Sequence, residues 1–343
     1  MSNTSLKFIP ADFSEQEWTS LVATSPDYNL LQTWAYAEAK VATGPWEVVR
    51  GVILDDGREV GAAQTVIRFA PVFRGGLAWL NRGPMALVNK NDRPTLVSGM
   101  IEAIKVHFVN EWGLYLRVAP SLHEEELSNE ALKLTTMKRA GVLGWASAKL
   151  DLTSHETDLR KALNAKWRGH LSKAERAGLT VRRGSDDGHF QEFYQLYTQM
   201  LLEKNLSTNL SAVFFETLQK FLPNDRKMEV FIAMDGAKIL GSTLIAKYGS
   251  CCEYLATTTT PEGRRKNAGQ LQLWTAILEM RAQGYRSFDL SGVDPLQTPK
   301  GILTFKQGVG AIPYRLAPEL ETFGGGIVNR AVRWKVQRSR LQG

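Results

Sequence analysis

The residue types best suited to chemistry in this 343-residue chain gather near its end, in Tyr285–Gly310, YRSFDLSGVDPLQTPKGILTFKQGVG. Ser287–Leu290 reads as a short apolar strand that breaks at Ser291-Gly292 and again at Asp294-Pro295. Gly292, Gly301, Gly308 and Gly310 let the backbone bend and come close to a partner. Lys306 lies among them, flanked by Phe305 and a glycine-rich tail. A surface lysine on a hairpin is the plain reading; the glycine setting favours a cation held at a site, where it could steady developing negative charge. Asp289, on the strand, could serve as a base or orient an amine. Asp294, before Pro295, is an ordinary turn start.

Other chemistries find little support. The two cysteines, Cys251 and Cys252, are adjacent and have no CxxC partner, so they read as buried strand thiols. The five histidines are scattered without HxxxH or HxH spacing, and neither a metal nor a cofactor is expected. No GxGxxG follows a strand and no GxxxxGK[ST] occurs. The net charge of +7 tilts the chain toward polyanionic partners such as tRNA, nucleotide phosphates or anionic lipid. No apolar run approaches the roughly 18 residues of a membrane span. The opening residues, MSNTSLKFIPADFSEQEW, lack a basic and an apolar region, so a cytoplasmic location is expected.

The elements that must position these residues recur in two halves. Phe13–Thr24 predicts a helix capped by Ser14 with Glu17 three residues on, and LLQTWAYAEAKVATG predicts a second, ended by Gly44-Pro45. Strands Glu47–Leu54 and Glu59–Phe69 flank Asp55-Asp56-Gly57, a hairpin signal. Strand Leu77–Leu80 runs into Asn81-Arg82-Gly83-Pro84. A helix over Arg93–Trp112, a strand over Leu114–Val118 and a helix through HEEELSNEALKLTTMKRAG follow. The second half opens with one helix over DLRKALNAKWRGHLSKAERAG, then a short strand LTVRRG, then helices in HFQEFYQLYTQMLLEKN and AVFFETLQKFL. Val230–Met234 and Lys238–Lys247 form another hairpin around Asp235-Gly236, followed by strand Glu253–Thr257, a polar loop, and the helix GQLQLWTAILEMRAQG. Hairpin, strand, helix, strand thus occurs twice, about half a chain apart, which suits two similar domains. The expected fold is α/β (α+β): two tandem GNAT-like acyltransferase domains with mixed sheets. The expected domains are 1–150, joined by 316–343, and 151–315.

Several stretches in order resemble the FemABX-type aminoacyl-tRNA-dependent peptidyltransferases. They are LLQTWAYAEAK, LNRGPM, LRKALNAKWRGHLSKAERAGLTVRRG, HFQEFYQLYTQM, LQLWTAILEMRAQGYRSFDLSGVDP and GILTFKQGVG, spanning nearly the whole chain. The resemblance implies transfer of an amino acid from aminoacyl-tRNA to an amine of a peptidoglycan precursor peptide, carried on UDP or on lipid as in lipid II. It implies that Lys306 stands at the reaction centre and that Lys40 contacts the acceptor's phosphates. Arg82 would lie on the acceptor-facing side of the first domain. Lys204 stands near where the family often carries a phosphate-binding arginine, a substitution that loses bidentate binding. Tyr254 and Trp34 become candidate pocket walls. The space between Phe190 and Met228 is too short for the family's helical arm, so a compact form acting as a monomer is expected. Attack of an amine on an already activated ester needs orientation, proton removal and help for the oxyanion, with no metal or covalent intermediate.

Two rivals stand beside this. A GNAT enzyme using acyl-CoA would cradle pyrophosphate on an R/Q-x-x-G-x-G/A turn; here the place reads Arg264-Arg265-Lys266-Asn267-Ala268-Gly269, with Asn267 at the first glycine. An aminoacyl-tRNA-dependent enzyme tailoring a specialised metabolite would share the donor and differ in acceptor. The run Lys166, Arg168, Lys173, Arg176, Arg182, Arg183 is a solvated face or a tRNA surface. The basic amphipathic segment from Ile327 to Leu341 suits tRNA phosphate or, at the inner membrane surface, anionic lipid head groups.

Overall fold

A computed structural model describes residues 6–70, 75–89, 92–203, 211–324 and 326–340. Its strands are β1 (Lys7–Pro10), β2 (Glu47–Asp55), β3 (Arg58–Phe69), β4 (Gly76–Asn81), β5 (Met85–Ala86), β6 (Tyr115–Ala119), β7 (Lys138–Arg139), β8 (Ala146–Asp151), β9 (Thr180–Gly184), β10 (Glu229–Asp235), β11 (Lys238–Tyr248), β12 (Cys251–Thr259), β13 (Ser287–Asp289), β14 (Ile312–Arg315) and β15 (Leu320–Phe323). Its α-helices are α1 (Glu15–Val22), α2 (Trp34–Thr43), α3 (Arg93–Lys105), α4 (Asn129–Leu134), α5 (Glu156–Ala162), α6 (Ala165–Arg176), α7 (Asp187–Glu203), α8 (Ala212–Phe221), α9 (Pro261–Arg265), α10 (Ala268–Ala282), α11 (Lys300–Gln307) and α12 (Ile327–Arg340). The chain divides into two compact units, Met1–Trp145 with Arg315–Gly343, and Ala146–Tyr314.

The mixed α/β architecture is the expected one, built twice. The first sheet runs β1-β2-β3-β4-β6-β15-β7, with β5 paired to β3, and the second runs β14-β8-β13-β12-β11-β10-β9. Each sheet has one parallel pair, β4 with β6 and β12 with β13; the other registered neighbours are antiparallel. The duplication extends to irregularities. Both hairpins bulge at the same place, beside Val60 in one and Leu240 in the other, just before the turns Asp55↔Arg58 and Asp235↔Lys238. Asp56 and Gly57 both take positive φ, as a two-residue hairpin turn demands. The last strand of each half is exchanged. β8 follows the first sheet's strands in sequence yet joins the second sheet, and β15, near the chain's end, joins the first between β6 and β7.

Local sequence explains most helix ends. Ser14 and Glu17 form the expected capping box, with Ser14 N donating to Glu17 Oε2 at 2.8 Å. Two expected long helices are instead broken. HEEELSNEALKLTTMKRAG forms a short turn at 124–126, then α4, then β7. Ser128 restarts the helix by accepting from Ala131 N at 3.1 Å, and Thr136 takes a positive φ of 47° that ends it. DLRKALNAKWRGHLSKAERAG divides at Leu163-Asn164, where the Asn164 side chain caps α6 by accepting from Lys166 N at 3.0 Å. The same residue's N–H donates to Gly308 O at 2.9 Å, so the break is a seat for the end of α11. A Cβ at Gly308 would stand 2.5 Å from Trp167, which explains the glycine after Lys306-Gln307. The second unit's core packs Trp167, Leu171, Phe231, Tyr254, Trp274, Ile277 and Phe288 between sheet and helices. The first unit's core packs Ile53, Ile67, Met100, Ile104, Phe108 and Leu116.

Candidate active site in the second unit

The site forms where the second sheet opens. β12 and β13 run parallel for only three residue pairs, Cys251↔Ser287 to Glu253↔Asp289. β12 then continues to Thr259, while the chain after β13 turns away through Ser291 and Gly292, both with positive φ (49° and 42°). Residues 254–259 therefore have a strand neighbour on the β11 side and none from β13. The first unit differs: β4 stays paired to β6 up to Asn81↔Ala119, at the ends of both strands.

Lys306 reaches this opening from a helix, not from the hairpin expected of the sequence. It occupies the last turn of α11 and is only 7 % exposed. Its ammonium donates to Ser291 O and, at 3.4 Å, to Gly292 O, and lies 5.4 Å from the Tyr254 ring centroid. The left-handed pair Ser291-Gly292 turns both carbonyls to the same ammonium. Burial pulls the Lys306 pKa down to about 8, although Asp289 and Glu253 oppose the shift. Burial likewise pushes the Tyr254 phenol up to about 12.

Asp289 is 3 % exposed and its oxygens are occupied. Oδ1 accepts from Ser147 Oγ and from Ser291 N at 2.8 Å; Oδ2 accepts from Tyr314 OH. Glu253, equally buried, accepts from Ser291 Oγ at 2.5 Å and from Tyr248 OH at 3.1 Å. Two carboxylates thus surround Ser291 and hold the loop that holds Lys306. Asp294 is the turn start expected, its Oδ1 accepting from Leu296 N at 2.7 Å. Asp289→Asn replaces an acceptor-only group by one with two N–H donors facing existing donors. It is expected to cost about 2–3 kcal/mol, read as a lower urea midpoint at unchanged m-value.

At the far side of the opening, α10 begins at Asn267, which takes φ 59° and ψ 32° without a side-chain cap. The asparagine thus reproduces the left-handed bend that a glycine would supply. A Cβ on Gly269, in the first turn of α10, would lie 3.6 Å from Phe305 and 3.8 Å from Thr259 Oγ1. The helix N-terminus, the free run of β12 and the Lys306 helix therefore share one place. The thiols stay out of the chemistry: burial pushes Cys251 and Cys252 up, and both are free.

The remaining candidates fall elsewhere. Lys40, near the end of α2, lies 5.6 Å from the Tyr36 ring centroid and lines a narrow cleft with Trp46, Gln64 and Trp79. Burial lowers its pKa. Gln32 sets this helix in place: fully buried, it donates to Gln64 O and Asn81 O at 3.1 and 2.9 Å. Trp34, on the same helix, is not in that cleft. Its ring is covered at 3.5 Å by the Arg50 guanidinium and lines a separate groove with Phe13, Val49 and Trp112. Arg82 has φ 49° and packs on Trp145 at 4.5 Å, 9 % exposed. Lys204 lies outside the described residues. Of the basic run, Arg182 and Arg183 are paired to Glu192 and to Glu229 and Glu279, and Arg168 donates to backbone carbonyls. Lys166, Lys173 and Arg176 are exposed on α6. Among the described residues no cluster of His, Cys, Asp or Glu is arranged to hold a metal.

Serine, glutamate and tyrosine partners of the site escaped sequence reasoning. Ser147 and Tyr314 stand 142 and 25 residues from Asp289, and nothing in their local sequence marks them.

This geometry sits in a fold of the GNAT acyltransferase type. Residues 160–306 match the model of the acetyltransferase (GNAT) domain family. The chain as a whole has a FemX-like tandem-GNAT fold. The solved structure of FemX superposes with a TM-score of 0.79 at 16% identity, covering 96% of this chain and 99% of that one. A tandem GNAT protein from the clavulanic acid biosynthesis pathway gives 0.54 at 15% identity, covering 94% and 99%. The C-terminal domain of a candidate lysylphosphatidylglycerol synthetase from Agrobacterium fabrum gives 0.54 at 14%, covering 96% of both chains. No curated protein sequence matches.

Proposed function

We propose that the chain is an aminoacyltransferase that moves an amino acid from aminoacyl-tRNA to an amine of a peptidoglycan precursor peptide on a UDP- or lipid-linked carrier. The observation that carries this reading is Lys306: a buried ammonium mounted on α11 at the opening beside the free run of β12. The ordered FemABX-like motifs supply the donor and the acceptor class. The acceptor nitrogen attacks the ester carbonyl, the carbon–oxygen bond to the terminal ribose breaks, and the amine proton ends, directly or through water, on the departing ribose oxygen, which leaves as a hydroxyl. Lys306 stabilises the oxyanion or the RNA terminus as charge grows. Asp289, already accepting three hydrogen bonds, favours the charged form of Lys306 and holds the loop. Tyr254 forms the floor under the ammonium. Lys40 contacts the acceptor's phosphates, and Arg82 lies on the acceptor-facing side of its own unit.

The test is transfer from a pool of charged tRNAs to UDP-linked muropeptide, abolished by RNase. Activity with acetyl-CoA and no dependence on RNA would overturn it. Lys40→Met is expected to raise the acceptor KM on the order of tenfold or more with kcat little changed, as for loss of a charge-assisted phosphate contact. A fall in kcat at unchanged KM would place Lys40 elsewhere in the cycle.

A second reading, acyl-CoA as donor, is favoured by one feature: the left-handed Asn267 preserves the bend that opens α10. A CoA-dependent rise in Tm, absent in Asn267→Val, supports it.

A further inference from the structure

The C-terminal helix presents a face that the transfer chemistry does not use. α12 packs Val328, Asn329 and Val332 inward and is tied down at two points. Asn329 Nδ2 donates to Gly113 O at 2.8 Å, and Arg333 Nε donates to Glu321 Oε1 at 2.9 Å. The opposite face carries Ile327, Ala331 and Trp334 at spacings of four and three, one side of the helix. Ile327 is 86 % exposed and Trp334 57 %. Arg330 and Lys335 flank them, both exposed. From Gly326 to Gly343 the sequence contains five cations, Arg330, Arg333, Lys335, Arg338 and Arg340, and no acid.

The apolar row continues onto the body of the same unit. Gly113, which receives Asn329, follows Trp112, and Trp112 is 41 % exposed. Trp112 stacks on Phe69, 43 % exposed, at 6.3 Å. Phe69 pairs with Gly76, and a Cβ on neighbouring Gly75 would touch Val328 and Asn329 of α12 at 3.0 Å. Arg68 adds an exposed cation beside Phe69. Glu111, next to Trp112, is paired to His107 Nδ1 at 2.9 Å.

We propose that this face docks the protein on an anionic lipid surface. A nucleic-acid partner rewards cations through its phosphates, but it gives no return for exposing aliphatic Ile327 beside the three half-exposed aromatic side chains Trp334, Trp112 and Phe69. A bilayer interface accepts both: aliphatic and aromatic groups enter the boundary between head groups and acyl chains, and Arg330 and Lys335 remain at head-group level. Arg333 is held by Glu321 and serves as the anchor of the helix, not as a lipid contact.

The experiment is vesicle co-sedimentation of the full chain with phosphatidylcholine vesicles and with vesicles rich in phosphatidylglycerol. Wild type is expected to pellet with the anionic vesicles and not with the neutral ones, and to be released by high salt in part only. Ile327→Asp and the pair Arg330→Glu/Lys335→Glu are expected to weaken binding on the order of tenfold each, with melting curves unchanged because all three side chains are outward. Equal binding by the variants, or no binding by wild type, overturns the proposal. So does weaker binding of RNA by the charge-reversed pair with vesicle binding intact, or self-association lost in Ile327→Asp without vesicle binding. Transfer to a soluble acceptor is expected to persist in these variants, which separates failure of docking from failure of the proposed activity.

Discussion

Lys306→Met is expected to lower turnover in the proposed transfer by a factor on the order of 10²–10³, the range seen when a single donor to a developing oxyanion is removed, with the protein still folded. At neutral pH the buried ammonium is charged against its burial, at a cost of about 3 kcal/mol given a pKa near 8 in place of the ordinary lysine value. Methionine removes that cost but takes from the Ser291 carbonyl the donor that Lys306 supplies, roughly 1–3 kcal/mol, while Gly292 O keeps its bond from Thr298 Oγ1 at 3.1 Å. The two effects offset, so the melting temperature moves little while activity collapses.

The pH profile distinguishes the roles Lys306 could play. A cation acting on negative charge is lost as pH rises through about 8, so kcat/KM should fall above that value and stay flat just below it. A limb that rises through 8 would make Lys306 a neutral base and refute the electrostatic role. Stability moves in the other sense. Because the folded pKa is depressed, the wild type gains stability between about pH 8 and the unfolded lysine pKa, and Lys306→Met shows no such gain.

The largest loss of stability is expected from Arg117→Leu. Arg117 is 1 % exposed on β6, and its Nε donates to Glu319. Tyr115, two residues earlier, donates to Glu321 Oε2 at 2.7 Å, and Glu321 in turn accepts from Arg333. This ionic lock holds β15, which arrives from the far end of the chain, against β6. Removing the arginine takes the buried guanidinium partner from the Glu319 carboxylate, about 3–5 kcal/mol, or on the order of 10 °C in Tm for a unit of this size. The double change Arg117→Leu/Glu319→Leu should recover most of it, because neither member of the buried pair is then kept without the other. Failure of the double variant to recover would mean that β15 is held by something other than this pair.

The repeated pattern was readable because it is local. Each hairpin has its turn residues and its alternating apolar run within a score of positions, and Ser14-Glu17 caps α1 through groups three residues apart. The breaks in the two long helices were harder. Helical periodicity persists across Leu163-Asn164, and only the docking of Asn164 N on Gly308 O decides that the chain must bend there. The C-terminal residues read as an amphipathic helix from spacing alone, but which face turns outward depends on Asn329 and Arg333 finding partners more than ten residues away or across the sheet.

By itself the sequence determined the α/β duplication, the DG hairpins, a short strand beginning at Ser287 and the importance of the glycines around Lys306. These are consequences of side-chain period and backbone freedom, which act over a few residues. Only the tertiary structure decided that Lys306 rides a helix, that Ser147, Glu253, Ser291 and Tyr314 enclose its loop, and that β8 joins the second sheet. Those outcomes depend on which buried donors and acceptors find each other across long stretches of chain. An unpaired buried polar group is too costly to leave, and no local pattern records where its partner will be.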